Sequence, residues 1–424
     1  MLSKDDNERL TRVGAGTPMG NVFRRYWLPA LLASELPKAD GAPVRFRLLG
    51  EDLVAFRDSN GAVGLVDAFC PHRRAPMFLG RNEKCGLRCV YHGWKFDVTG
   101  RCVEMPTEPK ESTYKDKIRI KSYAAHEAGG LIWAYMGPAD GMPPPPDMEL
   151  TRAPVTHRFV SCTVQDCNYL QALEGGLDSS HATILHNVTI GDMSWLDDYE
   201  RTTPKLDVQS TDYGFQYSGI RKIDGRHWVR VYQYIMPVTQ MRARAVPVRG
   251  EKSPPRIPTI NGHYWVPIDD VTVSVINFSY SADPEIPLDR EFAREMEAGY
   301  GRGEDELLPD GRLKRNWRNN YLIDRDVQAT QTFTGIEGIN TQDVAVQEGM
   351  GPIVDRSEEH LGSTDRAIVQ MRRLLLEATR VVEAGGNPRA ADSSAYRNIR
   401  AVDRYVDAES EIPALIAREL TARF

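Results

Sequence analysis

The sequence predicts an α+β protein in two main parts. An all-β domain at residues 41–146 precedes an α+β domain at 147–424 that has an antiparallel sheet covered by helices. Three observations carry this expectation. Short alternating apolar runs crowd between Val44 and Tyr135. Pro143-Pro144-Pro145-Pro146 then interrupts the chain as a stiff extended connector. Beyond it, strand-like and helix-like periods mix.

Residues 1–40 are expected to be mostly helical and to pack on the second domain. Val22, Phe23, Tyr26, Trp27 and Leu31 recur at roughly helical spacing within Asn21–Leu32, broken by Pro29. Leu36–Gly41 reads as a linker. Val44–Leu48, Asp52–Phe56 and Gly64–Val66 read as strands, and Asp58-Ser59-Asn60-Gly61 is a hairpin signal between the last two. Leu131–Tyr135 is a further strand. In the second part, strands are expected over Val155–Val164, Phe215–Ile223, His227–Ile235, Met241–Val248 and Val271–Tyr280. Residues 287–321 are charged and polar and read as a loop with no assigned chemistry. Ile368, Met371, Leu374, Leu375, Ala378 and Val382 form the stripe of an amphipathic helix over Asp365–Ala384, stopped by Gly385-Gly386.

Composition excludes several function classes. A formal net charge of -6 argues against non-specific binding to nucleic acid or anionic membrane. No apolar run is long enough to span a bilayer, and the Met1-Leu2-Ser3-Lys4 start has no signal-peptide core. Six cysteines in 424 residues are too few for a disulfide scaffold. Cys85, Cys102, Cys162 and Cys167 therefore read as free thiols of a cytoplasmic protein.

The chemistry concentrates at two places. Cys70-Pro71-His72 is followed, after 16 residues, by Cys89-Val90-Tyr91-His92. Each half offers one thiolate and one imidazole, the set a Rieske 2Fe–2S cluster needs, with two cysteines on one iron and two histidines on the other. Neutral imidazoles make such a cluster less negative and raise its potential, so it serves as an electron relay. Zinc is the alternative for a Cys2His2 set, but zinc fingers pair Cys with Cys and His with His. Gly93 would let the backbone turn tightly beside His92. Trp94 and Phe96 would shield the cluster, or serve as ordinary core aromatics.

The second place is Glu174-Gly-Gly-Leu-Asp178-Ser-Ser-His181-Ala-Thr-Ile-Leu-His186. Two histidines and a carboxylate suit a mononuclear non-haem Fe(II) site with positions open for O2. At 100° per residue, His186 lies about 140° around a helix from His181. If both bind one ion, the helix must bulge or end between Ala182 and His186. A polar helix face with a satisfied core histidine is the plain alternative.

Taken together, these motifs resemble those of Rieske non-haem iron oxygenases, whose Asp-x2-His-x4-5-His pattern matches Asp178, His181 and His186. Thr17–Trp27, Arg47–Arg57, Gly80-Arg81-Asn82 and Met350–Gly362 are similar to the phthalate dioxygenase and phenoxybenzoate dioxygenase branch. The resemblance implies a Rieske domain followed by a catalytic domain with a third, downstream carboxylate ligand. Asp343 is the candidate, with Asp324, Asp326 and Glu348 as competitors. It also implies that Asp178 is not a ligand. Asp178 would instead hydrogen-bond His181 and reach His92 of a neighbouring subunit in a homotrimer or stacked hexamer without a β subunit. Electrons would come from a separate flavin and iron–sulfur reductase that oxidises a nicotinamide cofactor. This chain has no Gly-x-Gly-x-x-Gly fingerprint of its own.

The branch usually attacks aromatic carboxylates, which call for a cationic clamp. Arg242 and Arg244 share one face of a predicted strand, and Lys205 and Arg230 are further candidates. All four could equally sit on a solvated surface. The expected reaction is cis-dihydroxylation, with mono-oxygenation (O- or N-demethylation, or ether cleavage) as its rival on the same scaffold. A Rieske electron-transfer protein without mononuclear iron, and a zinc-stabilised binding module, are rivals of other classes.

Overall fold

The computed structural model describes residues 1–187, 203–223, 225–247, 256–407 and 417–424. The strands begin with Trp27–Leu32 (β1), Val44–Leu48 (β2), Glu51–Arg57 (β3) and Val63–Asp67 (β4). A small four-stranded ribbon follows: Arg81–Asn82 (β5), Leu87–Arg88 (β6), Lys95–Phe96 (β7) and Cys102–Glu104 (β8). Ser122–Ala128 (β9) and Leu131–Tyr135 (β10) then complete a six-stranded antiparallel sheet in the order β1-β10-β9-β4-β3-β2. The β3–β4 hairpin forms where expected. Asp58 Oδ1 accepts the N–H groups of Asn60 and Ala62, both at 2.9 Å, and Gly61 takes the left-handed conformation the turn requires.

The N-terminal expectation is half right. Lys4–Thr11 and Pro18–Phe23 are helices, capped by Ser3 and Thr17. Trp27–Leu32 is a strand instead, pairing with β10 at the sheet edge with a bulge between Pro29 and Leu31. Pro29 lacks the N–H that a helix interior needs, and an edge strand tolerates it. The second half of the expected helical run Asn21–Leu32 thus belongs to the first sheet.

The second part is organised on an eight-stranded antiparallel sheet. Its strands are Arg158–Gln165 (β11), Lys205–Ser210 (β12), Gly214–Ile223 (β13), Arg226–Ile235 (β14), Thr239–Pro247 (β15), Arg256–Pro267 (β16), Val273–Ser281 (β17) and Val402–Asp407 (β18). The order is β11-β17-β16-β15-β14-β13-β12, with β18 beside β14. The predicted strand runs are present over most of their length; Val155–His157 forms a 3-10 turn before β11 instead, β17 begins at Val273 and not Val271, and Val248 lies outside the described residues. β12, β16 and β18 are additional. The helix Arg366–Glu383 matches its predicted stripe, burying Ile368, Met371, Leu374, Leu375, Ala378 and Val382.

One continuous hydrophobic core runs from Leu10 and Phe23 through Trp133, Tyr217 and Tyr264 to Leu375, so the N-terminal helices, first sheet and second sheet share it. A separate small core of Val54, Phe56, Met77, Leu87 and Phe96 underlies Cys70 and Cys89.

Residues 287–321 are not merely a loop. Arg290–Gly299 is a helix capped by Asp289, whose Oδ1 accepts the Glu291 and Phe292 N–H groups. Its charged outer face hid Phe292, Ala293, Met296 and Glu297, which form its inner face over the second sheet. Among the described residues no helix is long and apolar enough to cross a membrane.

Candidate metal centres and cavity

The two Cys-containing segments fold into the same loop. In each, the Cys carbonyl accepts the N–H four residues on (Arg74 to Cys70, 2.9 Å; Gly93 to Cys89, 3.0 Å). The Cys N–H donates to the carbonyl five residues on (Ala75, 2.9 Å; Trp94, 2.8 Å). The fourth residue is left-handed in both, Arg74 at φ 57° and Gly93 at φ 75°. A Cβ on Gly93 would lie 2.6 Å from Pro106 Cγ, so only glycine fits there.

The loops bury Cys70 and Cys89 and bring the His72 and His92 rings to 4.4 Å between centroids. His72 also stacks on Trp94 at 4.3 Å. Burial pushes the Cys70 thiol up to about 12, with the Cys89 thiol as its neighbour. Two buried cysteines beside two facing imidazoles form a donor set that fits a 2Fe–2S group.

The second centre forms where a helix ends. Tyr169–Leu177 stops at Asp178, His181–Ile184 makes a single turn, and His186 lies in the turn beyond it. That break lets both imidazoles face one point, as the helical angle demanded. His181 Nε2 is 3.4 Å and His186 Nε2 3.3 Å from Asp343 Oδ1. Asp343 is carried by the helix Ile339–Gly349. Ligand atoms about 2.1 Å from a first-row divalent ion and at right angles are roughly 3 Å apart, so the spacing fits a facial triad. This is the one such cluster of ligand atoms found among the described residues. The competitors are engaged elsewhere. Asp324 caps the helix Arg325–Thr330, Asp326 lies in that helix's first turn, and Glu348 accepts from Tyr321 OH and the Asp166 N–H.

The surroundings orient the triad. Gln342 donates from Nε2 to Ile336 O (2.8 Å), which turns its Oε1 to His186 Nδ1, also at 2.8 Å. Nδ1 therefore carries the proton and Nε2 is free to ligate. Asp178 Oδ2 lies 3.4 Å from His181 Nδ1, and its Oδ1 accepts the Ser180 N–H at 2.6 Å. Burial opposes charge on His181, but the Asp178 and Asp343 carboxylates outweigh it and raise its pKa to about 10. The two imidazole nitrogens and the Asp343 carboxylate thus make a place for positive charge.

Two glycines let the helices meet here. A Cβ on Gly176 would lie 2.1 Å from the Trp265 ring of β16, and one on Gly175 would lie 2.3 Å from Gln347 Nε2 of the Asp343 helix. Glu174, their neighbour, faces away from the triad and is bound by Arg356 and Arg372.

A cavity of about 400 Å³ opens from the triad along the polar face of β14–β17. It is lined by three of the four predicted basic residues, Arg230, Arg242 and Arg244. Lys205 is a correction: it is exposed on β12 and does not line the cavity. The three arginines differ in their partners. Arg230 Nε lies 3.3 Å from Asp403 Oδ2. Arg244 donates to Tyr300 OH. Arg242 donates from Nε to Asn261 Oδ1 (2.9 Å) and from Nη2 to His263 Nε2 (3.0 Å), and has no carboxylate partner among the described residues. Asn261, His263, Asn277, Tyr300 and Arg302 also line the cavity and were not anticipated. The signals were the alternation of polar residues along Thr259, Asn261 and His263, and the four-residue spacing of Phe292, Met296 and Tyr300.

Loops that fit a relay-type 2Fe–2S cluster, in one chain with a residue triad that fits mononuclear iron, point to the class of iron-dependent oxygenases. Comparison with known proteins supplies the family. Residues 26–124 match the Rieske [2Fe-2S] domain, and 134–406 match the family described as LigXa C-terminal domain like. The chain is 39% identical over 403 residues to the phthalate 4,5-dioxygenase oxygenase subunit of Pseudomonas putida, covering 91% of this chain and 88% of that one. It is 34% identical to the 5,5'-dehydrodivanillate O-demethylase oxygenase subunit of a Sphingobium species, covering 92% and 83%. Crystalline dicamba monooxygenase bound to 3,6-dichlorosalicylic acid shares the fold, with a TM-score of 0.59 at 19% identity over 85% of this chain and 98% of that one. The chain belongs to the Rieske non-haem iron oxygenases, as an oxygenase component. As a member of this family it uses a Rieske 2Fe–2S cluster and mononuclear iron as cofactors, with O2 as co-substrate.

Proposed function

We propose that this component cis-dihydroxylates an aromatic carboxylate of the phthalate type, drawing electrons from a separate NAD(P)H-dependent flavin and iron–sulfur reductase. The observation that carries the reading is Arg242, a cavity arginine with neutral partners beside an iron triad. A half-buried guanidinium without an anion is matched by a substrate carboxylate. The 39% identity to a phthalate 4,5-dioxygenase subunit supports the same class.

Cys70, Cys89, His72 and His92 hold the cluster, and His181, His186 and Asp343 hold the mononuclear iron. When bound, these groups supply electron relay and O2 activation. The chain's residues do the rest. Arg242, with Arg244 beside it, fixes the acid group, while Arg230 stays paired to Asp403 and shapes the wall. Gln342 holds the His186 imidazole in the ligating tautomer, and the Asp178 carboxylate faces His181 Nδ1 at 3.4 Å. Asp178 also meets His92 of a neighbouring copy, in a homotrimer or a stack of two, without a β subunit. We assign the assembly to the cytoplasm, consistent with Cys85, Cys102, Cys162 and Cys167 remaining thiols outside the cluster set.

Mono-oxygenation is the second reading, favoured by the 34% identity to an O-demethylase subunit. One experiment separates the two. Anaerobically purified protein should hold about three irons and two inorganic sulfides per chain, with a Rieske-type EPR signal. Phthalate turned over with a reductase under labelled O2 should give a cis-diol carrying both labelled atoms. A product with one labelled atom moves the reaction to mono-oxygenation, and zinc without sulfide overturns the oxygenase reading.

A further inference from the structure

We infer that His263 is a positioning residue for Arg242, held as a neutral Nδ1–H imidazole at the end of a directional hydrogen-bond chain that fixes the guanidinium toward the substrate acid group. The inference rests on the carboxylate reading above.

The direction of every hydrogen bond in the chain follows from its members. An arginine only donates, so the His263 Nε2 that lies 3.0 Å from Arg242 Nη2 must accept. The ring's single proton is then on Nδ1, which donates to Asn277 Oδ1 at 2.7 Å. Arg302 Nη1 donates to the same Oδ1 at 2.6 Å, which confirms the orientation of that amide. Asn277 Nδ2 donates to Ser161 Oγ (3.1 Å), and Ser161 passes its own proton to a Glu297 carboxylate oxygen. Arg302 Nη2 closes the far end on Glu297 Oε1 at 2.7 Å. The order of donation therefore runs from Arg242 through His263, Asn277 and Ser161 to Glu297.

His263, Asn277, Arg302 and Glu297 are all buried, so each unmet polar atom would be costly. Burial and the guanidinium groups of Arg242 and Arg302 hold the His263 pKa well below the usual histidine value, so the ring stays an acceptor. Glu297 is consumed by Arg302 and Ser161, leaving the positive charge of Arg242 uncompensated by the network. The chain orients Arg242 without neutralising it, as an anion clamp requires. The same network ties the helix Arg290–Gly299, which carries Glu297, to β11, β16 and β17 beneath the cavity.

The test measures phthalate and benzoate binding to the metal-replete enzyme by calorimetry, with steady-state kinetics alongside, for wild type, Arg242→Ala, His263→Leu and His263→Gln. Glutamine can accept at one end and donate at the other, as the neutral imidazole does. His263→Leu is expected to weaken acid binding about tenfold or more and to raise KM with little change in kcat. His263→Gln should recover most of the loss, and both variants should keep wild-type iron content and cluster EPR. Wild-type affinity in His263→Leu, with Arg242→Ala weakened, overturns the positioning role alone. Wild-type affinity in Arg242→Ala as well, or no binding of either acid by the wild type, overturns the carboxylate reading and this inference together.

Discussion

His186 Nδ1 and Gln342 Oε1 face each other at 2.8 Å, on the side of the imidazole opposite the nitrogen that meets Asp343. Gln342 precedes Asp343 in the chain, so one helix turn supplies both a carboxylate to the triad and the acceptor that sets its neighbour's tautomer. Outer partners of this kind typically change metal affinity by about 10–100-fold. Gln342→Leu should lose Fe(II) to a chelator that much more readily, while the cluster EPR signal stays intact. Gln342→Glu should retain the metal. Equal chelation rates in all three proteins would remove Gln342 from this role.

Gly176 touches Trp265 where any side chain would collide with the ring. Alanine is the better helix former by about 1 kcal/mol, yet here it should destabilise by about 1–3 kcal/mol through overpacking. Thermal unfolding and iron content of Gly176→Ala should both fall, because the helix that leads to Asp178 and His181 must move away from β16.

The twin cluster loops make a paired test. Gly93→Ala places a left-handed alanine against Pro106 and should cost about 1–2 kcal/mol from the backbone alone, with loss of cluster absorbance on heating. Arg74→Gly changes the equivalent position toward the residue that suits it. It should stay within about 1 kcal/mol of wild type, since the exposed Arg74–Asp67 contact it removes contributes little.

Glu174 is expected to make stability depend on pH between neutral and acid conditions. Burial pushes its carboxyl up, but Arg356 and Arg372 outweigh burial and hold it below the usual value. A depressed folded pKa means its contribution is complete above the unfolded value of about 4.3 and is lost as pH falls through the folded one. Glu174→Gln should lose about 3–5 kcal/mol at pH 7, because buried Arg356 loses its carboxylate partner and Arg372 keeps only Glu359. Its stability should converge with wild type at the acid end. A constant difference across the whole range would refute the linkage.

Much of the site was readable because its chemistry is local. Cys70 to His92 and Asp178 to His186 are compact motifs, and the helical angle between His181 and His186 required the break that the chain makes after Ile184. Asp343 came from family resemblance, since its distance along the chain leaves no spacing signal. The misses have physical causes. Trp27–Leu32 satisfies either period in a short apolar run, and pairing with β10 decides it. Pro258 and Gly262 weaken the strand signal of β16. Arginine and glutamate on the outer face of Arg290–Gly299 concealed its inner face. Which arginine lacks an anion depends on distant contacts, such as Asp403 with Arg230, so Lys205 and Arg242 looked alike until the sheet was assembled.

The hydrogen-bond chain behind Arg242 also constrains how this protein can diverge. Along β15 and β16, the cavity side carries Arg242, Asn261 and His263 while Met241, Ala243, Ile260 and Tyr264 fill the core. Such alternation ordinarily lets substrate preference drift without disturbing the core. Here replacement of Arg242 alone would strand the acceptor nitrogen of a buried imidazole, so a descendant that gives up acids should change residues 242 and 263 as a pair. Correlated substitution at these two positions, rather than at either one, is the trace that a shift of substrate would leave.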